Sequence, residues 1–426
     1  MARKVFISVL GTGFYGKCKY KKDDFISNET RFIQQATLEY LKAKNWDAAD
    51  TALFLLTKKA KTENWIKTIT ERKHVTANEI IPYKGLEKVI EDMQLPFSPV
   101  ALDIPDGKDE KETWEIFNIL FDTLQNDDEI YFDLTHSFRY LPMLVLVFNN
   151  YAKFLKNARI KHISYGNYEA RNMDTNEAPI IDLLPISGLQ DLTVAANDFI
   201  QFGKMGSFAQ IISGGKKGAV GQAIQKIKNE FSKLDEYIAT CRIYELEEGE
   251  YVDRINKEFE IAIKSDRLQA AEKKLLSKIK IALDVFKPYK TEENIETAIN
   301  WAFQYGMYQQ AYTMGQELII TKVCHRLNHF NPFSRSVDFR KFISAILGIS
   351  EMDVKIKKFD EILNQNNELT DKILKIDFIK DIRPSYIQLA NNRNIINHGK
   401  KSDNDFKKMF EKDYYLIIKL LNNTLC

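Results

Sequence analysis

Residues Lys4–Leu10 read KVFISVL, a short run of mostly β-branched and aromatic side chains that breaks off at Gly11. A run this apolar and this short fits a strand buried on both faces of a sheet. The pattern then recurs. Strand-like runs fall at residues 52–57, 98–103, 129–134 and 160–165, with a sixth at 179–184. Helical periodicity separates them at residues 28–44, from about 63, at 111–124 and at 139–155. Strands alternating with helices leave few options, and the simplest is a largely parallel, doubly wound α/β sheet. Such a sheet takes its ligands beyond the carboxyl ends of the strands, where the strand order reverses.

Two loops lie at such ends. The first is Gly11-Thr12-Gly13-Phe14-Tyr15-Gly16, whose glycines let a phosphate or ribose approach the backbone N–H groups. It spells GxGxxG, but the third glycine opens a polar stretch and no acid stands about 20 residues on at a strand end, so a dinucleotide fingerprint is not expected. The second is Asp133-Leu134-Thr135-His136-Ser137-Phe138-Arg139. It gathers a carboxylate, two hydroxyls, an imidazole and a guanidinium at a strand-to-helix junction. Thr135 or Ser137 capping the next helix is the plain alternative. So many polar groups opening onto an apolar helix fit a polar ligand at the helix N-terminus better.

From about residue 191 the chain is helical and lysine-rich, with amphipathic patterns at 224–246, 251–286 and 291–327. Residues 213–218 (SGGKKG) read as an exposed basic loop, without the GxxxxGK(S/T) order of a P-loop. Near the end comes Arg393-Asn394-Ile395-Ile396-Asn397-His398-Gly399. An imidazole titrates near neutral pH and can move the protons of a 2′-hydroxyl or a leaving 5′-oxygen. A guanidinium stays charged and can stabilise the charge that builds on phosphorus. Five helical positions turn about 500°, so the two side chains point roughly 140° apart and one pair flanks a groove without closing a site. Gly399 fits a helix C-cap, placing His398 in the last turn. Among the 6 histidines only His398 has an arginine four to six places upstream. Between residues 325 and 341, basic and aromatic side chains interleave (His325, Arg326, His329, Phe330, Arg335, Phe339, Arg340, Lys341), a composition that can grip single-stranded RNA.

A net charge of +2 gives no global basic field, so any nucleic-acid site has to be a local patch. Cys18, Cys241, Cys324 and Cys426 form no CxxC pair, which argues against a zinc site or a disulfide framework and fits a reducing cytosol. No signal peptide is expected, and residues 140–148, the longest apolar run, are too short to span a bilayer.

Asp-x-Thr-His-Ser-x-Arg after the fourth strand, with a glycine-rich loop after the first, resembles the CARF domains of CRISPR-associated proteins over roughly residues 1–185. Ser137 stands where the family usually has glycine. The helical end with Arg-x4-His, followed at Asn394 by the polar residue common there, resembles the HEPN ribonuclease fold over roughly residues 290–426. In this order they resemble the CARF–HEPN ribonucleases of type III CRISPR systems. The resemblance implies an α/β plus all-α chain: a Rossmann-like CARF domain at 1–190, a helical connector at 191–289 and a HEPN domain at 290–426. It implies a cytoplasmic, metal-independent endoribonuclease of antiviral defence, a homodimer or higher homo-oligomer, that cleaves single-stranded RNA with no cofactor. Cyclic oligoadenylate is then the activator, cyclic tetra-adenylate first and the hexa-adenylate second. Carried onto this chain, the catalytic residues are Arg393, His398 and Asn394. The ligand contacts are Gly11, Thr12, Gly13, Phe14, Tyr15, Asp133, Thr135, His136, Ser137 and Arg139. The competing expectations are a non-enzymatic nucleotide-sensing regulator and a sensor whose N-terminal domain degrades its own ligand.

Overall fold

The computed structural model describes residues 2–66, 71–73, 80–136, 140–204, 218–356 and 359–423. The chain divides into two compact units, Met1–Gly188 and Leu189–Cys426.

The described residues of the first unit form ten strands: β1 (Lys4–Leu10), β2 (Lys19–Lys22), β3 (Phe25–Ile26), β4 (Thr51–Leu56), β5 (Glu71–Lys73), β6 (Ile80–Pro82), β7 (Pro99–Asp103), β8 (Glu129–Asp133), β9 (Arg159–Gly166) and β10 (Glu177–Asp182). Eight of them form one sheet in the order β3-β2-β10-β9-β8-β1-β4-β7, while β5 and β6 pair separately. β7, β4, β1, β8 and β9 run parallel; β10 turns antiparallel to β9. The run of residues at 4–10 is thus a central strand, with partners on both sides.

Alternation along the strands explains the two layers. Val5, Ile7, Val9, Leu53 and Leu55 face a cluster that includes Ile116, Leu120, Val145 and Phe148, from the helices Glu110–Thr123 and Leu141–Lys156. Phe6, Leu10, Ala52, Phe54 and Leu56 face the other way, toward Leu38, Leu86 and Ile90 of the helices Ile33–Tyr40 and Leu86–Asp92. Side chains two apart share a face of a strand, so apolar residues throughout a strand give two buried faces. Each fully buried Phe, Leu or Ile in these layers contributes about 1.5–3 kcal/mol.

Two expectations need correction here. The helix expected at 28–44 is only Ile33–Tyr40, because the stretch before it pairs as strands: Ser27 N–H donates to Tyr20 O at 2.9 Å and Thr30 N–H to Cys18 O at 2.9 Å. The polar residues after Gly16 therefore form the β2–β3 hairpin and extend the sheet at its β10 edge. The helix expected from about residue 63 begins earlier, at Lys58, where the Thr57 side chain caps it by accepting from Ala60 N–H. It is short and passes into a wider turn over Lys61–Trp65.

The second unit is helical throughout its described residues. Beyond the helix Leu184–Phe202, its longest elements among the described residues are Gly218–Ala239, Glu250–Lys264, Ala270–Leu283, Glu292–Gln304, Tyr308–Arg326, Ser336–Gly348, Asp377–Asn397 and Phe406–Asn423. The pattern at 251–286 is two helices, because Gln269 and Glu272 form a capping box that starts a new one. The pattern at 291–327 is likewise broken, at Gly306, whose φ is +74°. A single hydrophobic cluster runs from Leu192 to Leu421, so residues on either side of 290 share one core.

Candidate functional site

Strand order locates the first site. The chain steps outward from β1 to β4 and β7, then crosses back to β8 on the other side of β1. The strand order therefore reverses between β1 and β8, and the carboxyl ends of these two parallel strands are Leu10 and Asp133. The glycine-rich loop and the Thr135–His136 loop leave from those ends and meet there. The rings of Tyr15 and His136 stack with centroids 4.1 Å apart and planes 23° apart. Gly11 makes this possible: a Cβ there would lie 2.7 Å from Tyr15 Oη and 3.5 Å from His136 Cβ.

Asp133 lies beneath the loops and is fully buried. Ser8 Oγ, its register partner on β1, donates to it at 2.7 Å, and Thr135 donates from Oγ1 at 2.5 Å and from its backbone N–H at 3.2 Å. Burial raises the Asp133 carboxyl above the usual carboxylate range, while the Thr135 and Ser8 hydrogen bonds pull it back. Thr135 Oγ1 also accepts from Gly166 N–H at 2.8 Å, which ties the loop to β9. These groups hold the loop in shape; Thr12 and Gly13 are the exposed members of the glycine-rich loop. Burial also pushes the His136 imidazole down to about 4, so it is neutral at physiological pH. Its Nε2 is buried and has no hydrogen-bond partner among the described residues. Ser137 and Arg139 lie outside the described residues.

The sequence reading missed two residues that support the glycine-rich loop from below. Buried Asn64 donates from Nδ2 to Gly11 O at 2.8 Å and Gly13 O at 2.9 Å. Arg31 donates from Nη1 to Tyr15 O at 2.7 Å and lies over the rings of Phe14 and Tyr83, 5.1 and 5.4 Å from their centroids. Neither belongs to a motif. The one available signal was Asn64 next to Trp65 in an otherwise polar segment.

In the second unit, Arg393 and His398 sit at the carboxyl end of the helix Asp377–Asn397. His398 is the C-cap residue and exposed, its N–H donating to Asn394 O at 3.0 Å. Gly399 follows with φ +58°, and Lys400 N–H closes the turn on Ile395 O at 3.0 Å. The expected C-cap is therefore present, and its geometry is the left-handed turn that favours glycine. Asn394 is exposed beside the pair. Arg393 is half-buried, and its Nη1 donates to Gln316 Oε1 at 2.7 Å across from the helix Tyr308–Arg326. The exposed Lys400, Lys401, Lys407 and Lys408 follow in the chain.

The interleaved basic and aromatic set at 325–341 is smaller than expected. Phe339 is buried in the core, and Arg340 is committed to Glu317 Oε2 at 2.7 Å and Thr321 Oγ1 at 2.6 Å. His325 Nδ1 lies 2.9 Å from a Glu292 carboxylate oxygen. His329, Arg335 and Lys341 are exposed.

No described helix is long and apolar enough to cross a membrane. Among the described residues no three His, Cys, Asp or Glu side chains are grouped to hold a metal ion.

Residues 5–169 match the family described as the CARF domain of the CRISPR system endoribonuclease Csx1. The whole chain is 25% identical, over 463 aligned positions, to the CRISPR-associated protein MJ1674 of Methanocaldococcus jannaschii. That alignment takes in 99% of this chain and 66% of the relative, so the chain spans just under two-thirds of the length of the protein it matches.

Proposed function

From the match of residues 5–169 to a CARF domain and the similarity of the chain to a CRISPR-associated protein, we propose that it is a CRISPR-associated ribonuclease with a CARF domain, switched on by cyclic oligoadenylate. In this reading, residues 1–190 are the sensor, 191–289 a connector and 290–426 a HEPN-like nuclease. The carrying observation is the end of the helix Asp377–Asn397: a fixed guanidinium at Arg393, an exposed imidazole at His398, and a glycine cap between that imidazole and a lysine-rich segment.

The ligand lies over the seam of β1 and β8. Thr12, Gly13, Phe14 and Tyr15 meet it from one loop, and His136, Ser137 and Arg139 from the other. Gly11 leaves room for the Tyr15 ring, and Asp133 and Thr135 set the second loop's shape from below. His136 serves as a neutral hydrogen-bonding group, and Arg139 supplies the charge. Four phosphates on a compact ring suit a two-fold cleft, so cyclic tetra-adenylate is the first choice and the hexa-adenylate the second.

At the other site, His398 moves protons and Arg393 stabilises the phosphorane. Asn394 offers a polar contact beside them, and exposed lysines meet the RNA backbone. Attack by the 2′-hydroxyl leaves a 2′,3′-cyclic phosphate and a 5′-hydroxyl, with no metal or cofactor taking part. One Arg–His pair cannot close a site, so a second copy of the chain supplies another pair. The ligand activates only through its greater affinity for the dimer arrangement that is competent for cleavage.

The test incubates the full chain with labelled single-stranded RNA and a panel of cyclic oligoadenylates in EDTA. Ligand-dependent cleavage that is lost in His398→Ala supports the reading. Ligand binding without cleavage would leave a regulator instead, and loss of the cyclic ligand itself would mark a sensor that degrades its signal.

A further inference from the structure

Gln316 is the polar exception in a helix buried around most of its circumference. Ala311, Tyr312, Met314, Gly315, Leu318, Ile319, Ile320, Val323 and Cys324 of the helix Tyr308–Arg326 are all buried, and Gln316 is buried with them, at 8% exposure. A primary amide in such a place has to be hydrogen-bonded at both ends. It is. Nε2 donates to Tyr386 Oη at 3.0 Å, and Oε1 accepts from Arg393 Nη1 at 2.7 Å. Tyr386 and Arg393 are seven positions apart on one helix, two turns, and so share a face. A single amide from a neighbouring helix thus clamps two residues of that face. Burial raises the Tyr386 hydroxyl above its ordinary value, so it stays protonated.

We propose that Gln316 is the positioning residue of Arg393, and that its lack of charge is the point of it. This rests on the reading of Arg393 given above. A guanidinium that must meet developing negative charge has to be held still and has to keep its own charge. A carboxylate at the same 2.7 Å would hold it as well but would cancel much of its field. A neutral carbonyl oxygen orients it and leaves the charge for the phosphate. The nearest candidate carboxylate in sequence, Glu317, is kept occupied by Arg340 at 2.7 Å. The Arg393 guanidinium only donates, so it takes the amide oxygen, and the Tyr386 hydroxyl, which can accept, takes Nε2.

The test compares the full-length wild type with Gln316→Glu, Gln316→Leu and Arg393→Ala. Turnover of a fluorogenic single-stranded RNA is followed with saturating cyclic tetra-adenylate, or hexa-adenylate where that is the activator. Gln316→Glu keeps the acceptor and adds charge. It should match or exceed wild type in Tm, lose about 10- to 100-fold in kcat and change KM by less than about threefold, because partly cancelling one charge-stabilising donor should cost less than the roughly 100- to 1000-fold of removing one. Gln316→Leu should also lose kcat. Wild-type kcat in Gln316→Glu, with Arg393→Ala inactive, overturns the positioning role and leaves the proposed function standing. A drop in Tm alongside lost kcat in Gln316→Glu would show a purely structural residue and also overturn it. Wild-type cleavage by Arg393→Ala would instead overturn the proposed function.

Discussion

The ring of Tyr15 rests on the imidazole of His136, 4.1 Å between centroids, although the two residues stand 121 positions apart (136 − 15) in the chain. The stack joins the two loops at the reversal point of the sheet, and Gly11 is what leaves it room.

Disturbing the stack should weaken the sensor and spare the nuclease. Gly11→Ala pushes a Cβ to 2.7 Å from Tyr15 Oη, so the ring has to move. An aromatic pair is worth about 0.5–1.5 kcal/mol, so Gly11→Ala and Tyr15→Ala should each move the activation midpoint about 2- to 10-fold higher. His136→Ala should fall in the same range, because the imidazole is neutral and a neutral hydrogen bond contributes about 0.5–1.5 kcal/mol. Arg139→Ala, which removes a charge, should lose more, about 10- to 100-fold. Activity at saturating cyclic tetra-adenylate should approach wild type. Binding and cleavage measured separately check this; unchanged binding in all four variants places the sensor elsewhere.

His398→Ala and Arg393→Ala should each cut RNA cleavage by at least about 100-fold, the usual scale for a proton-transfer group. Their ligand binding should stay intact. Wild-type cleavage should survive EDTA; a requirement for a divalent metal at the cleavage step contradicts the mechanism. Mixing His398→Ala with wild type should lower activity more steeply than dilution, and sedimentation should find the active species to be at least a dimer.

Gly399→Ala should destabilise the second unit by about 1 kcal/mol. The cause is backbone alone, since φ is +58° and a Cβ would meet nothing within 4 Å. Gly399→Asn should cost less, because asparagine tolerates the left-handed region. Denaturant melts of both variants give the comparison. The same strain falls on the residue after His398, so cleavage by Gly399→Ala should drop more than its stability does.

His162, nearly fully buried on β9, is pushed down to about 4, first by burial and then by the nearby Lys22. The unfolded chain takes up a proton near pH 6.5 that the folded chain refuses until about pH 4. Stability is therefore full above pH 6.5 and is lost as pH falls toward 4. Between pH 7 and 5 the loss from this one group is about 2 kcal/mol. His162→Leu should flatten the pH dependence of unfolding by that amount; an unchanged slope refutes it.

The alternation of apolar runs and helical patterns was enough to read the parallel core, because each buried strand is written locally, as Lys4–Leu10 is. The β2–β3 hairpin was not legible. Its residues are polar and it owes its place to pairing with β10, more than 150 positions away. The candidate residues divide in the same way. Thr135 and His136 announce themselves by their company in one loop. That Asp133 is spent on Ser8, 125 positions earlier, is a fact of register, and no local pattern carries it. Gln316 reaches Arg393 across 77 positions, and its only local sign is an amide set among apolar neighbours.

The seam between β1 and β8 has a mechanical consequence. Five registered pairs, from Lys4 and Glu129 to Ser8 and Asp133, join the half of the sheet that ends in β7 to the half that ends in β3. A molecule gripped by both loops adds another rung where that ladder stops, and works as a splint across the two halves. By mass action such a splint strengthens the first unit by about 2.7 kcal/mol at a hundred times its Kd. The first unit should then melt later as cyclic oligoadenylate is added, even in His398→Ala, where no RNA is cut. If the proposed sensor role holds, its occupancy should be readable as heat resistance, with no RNA cleavage needed to read it.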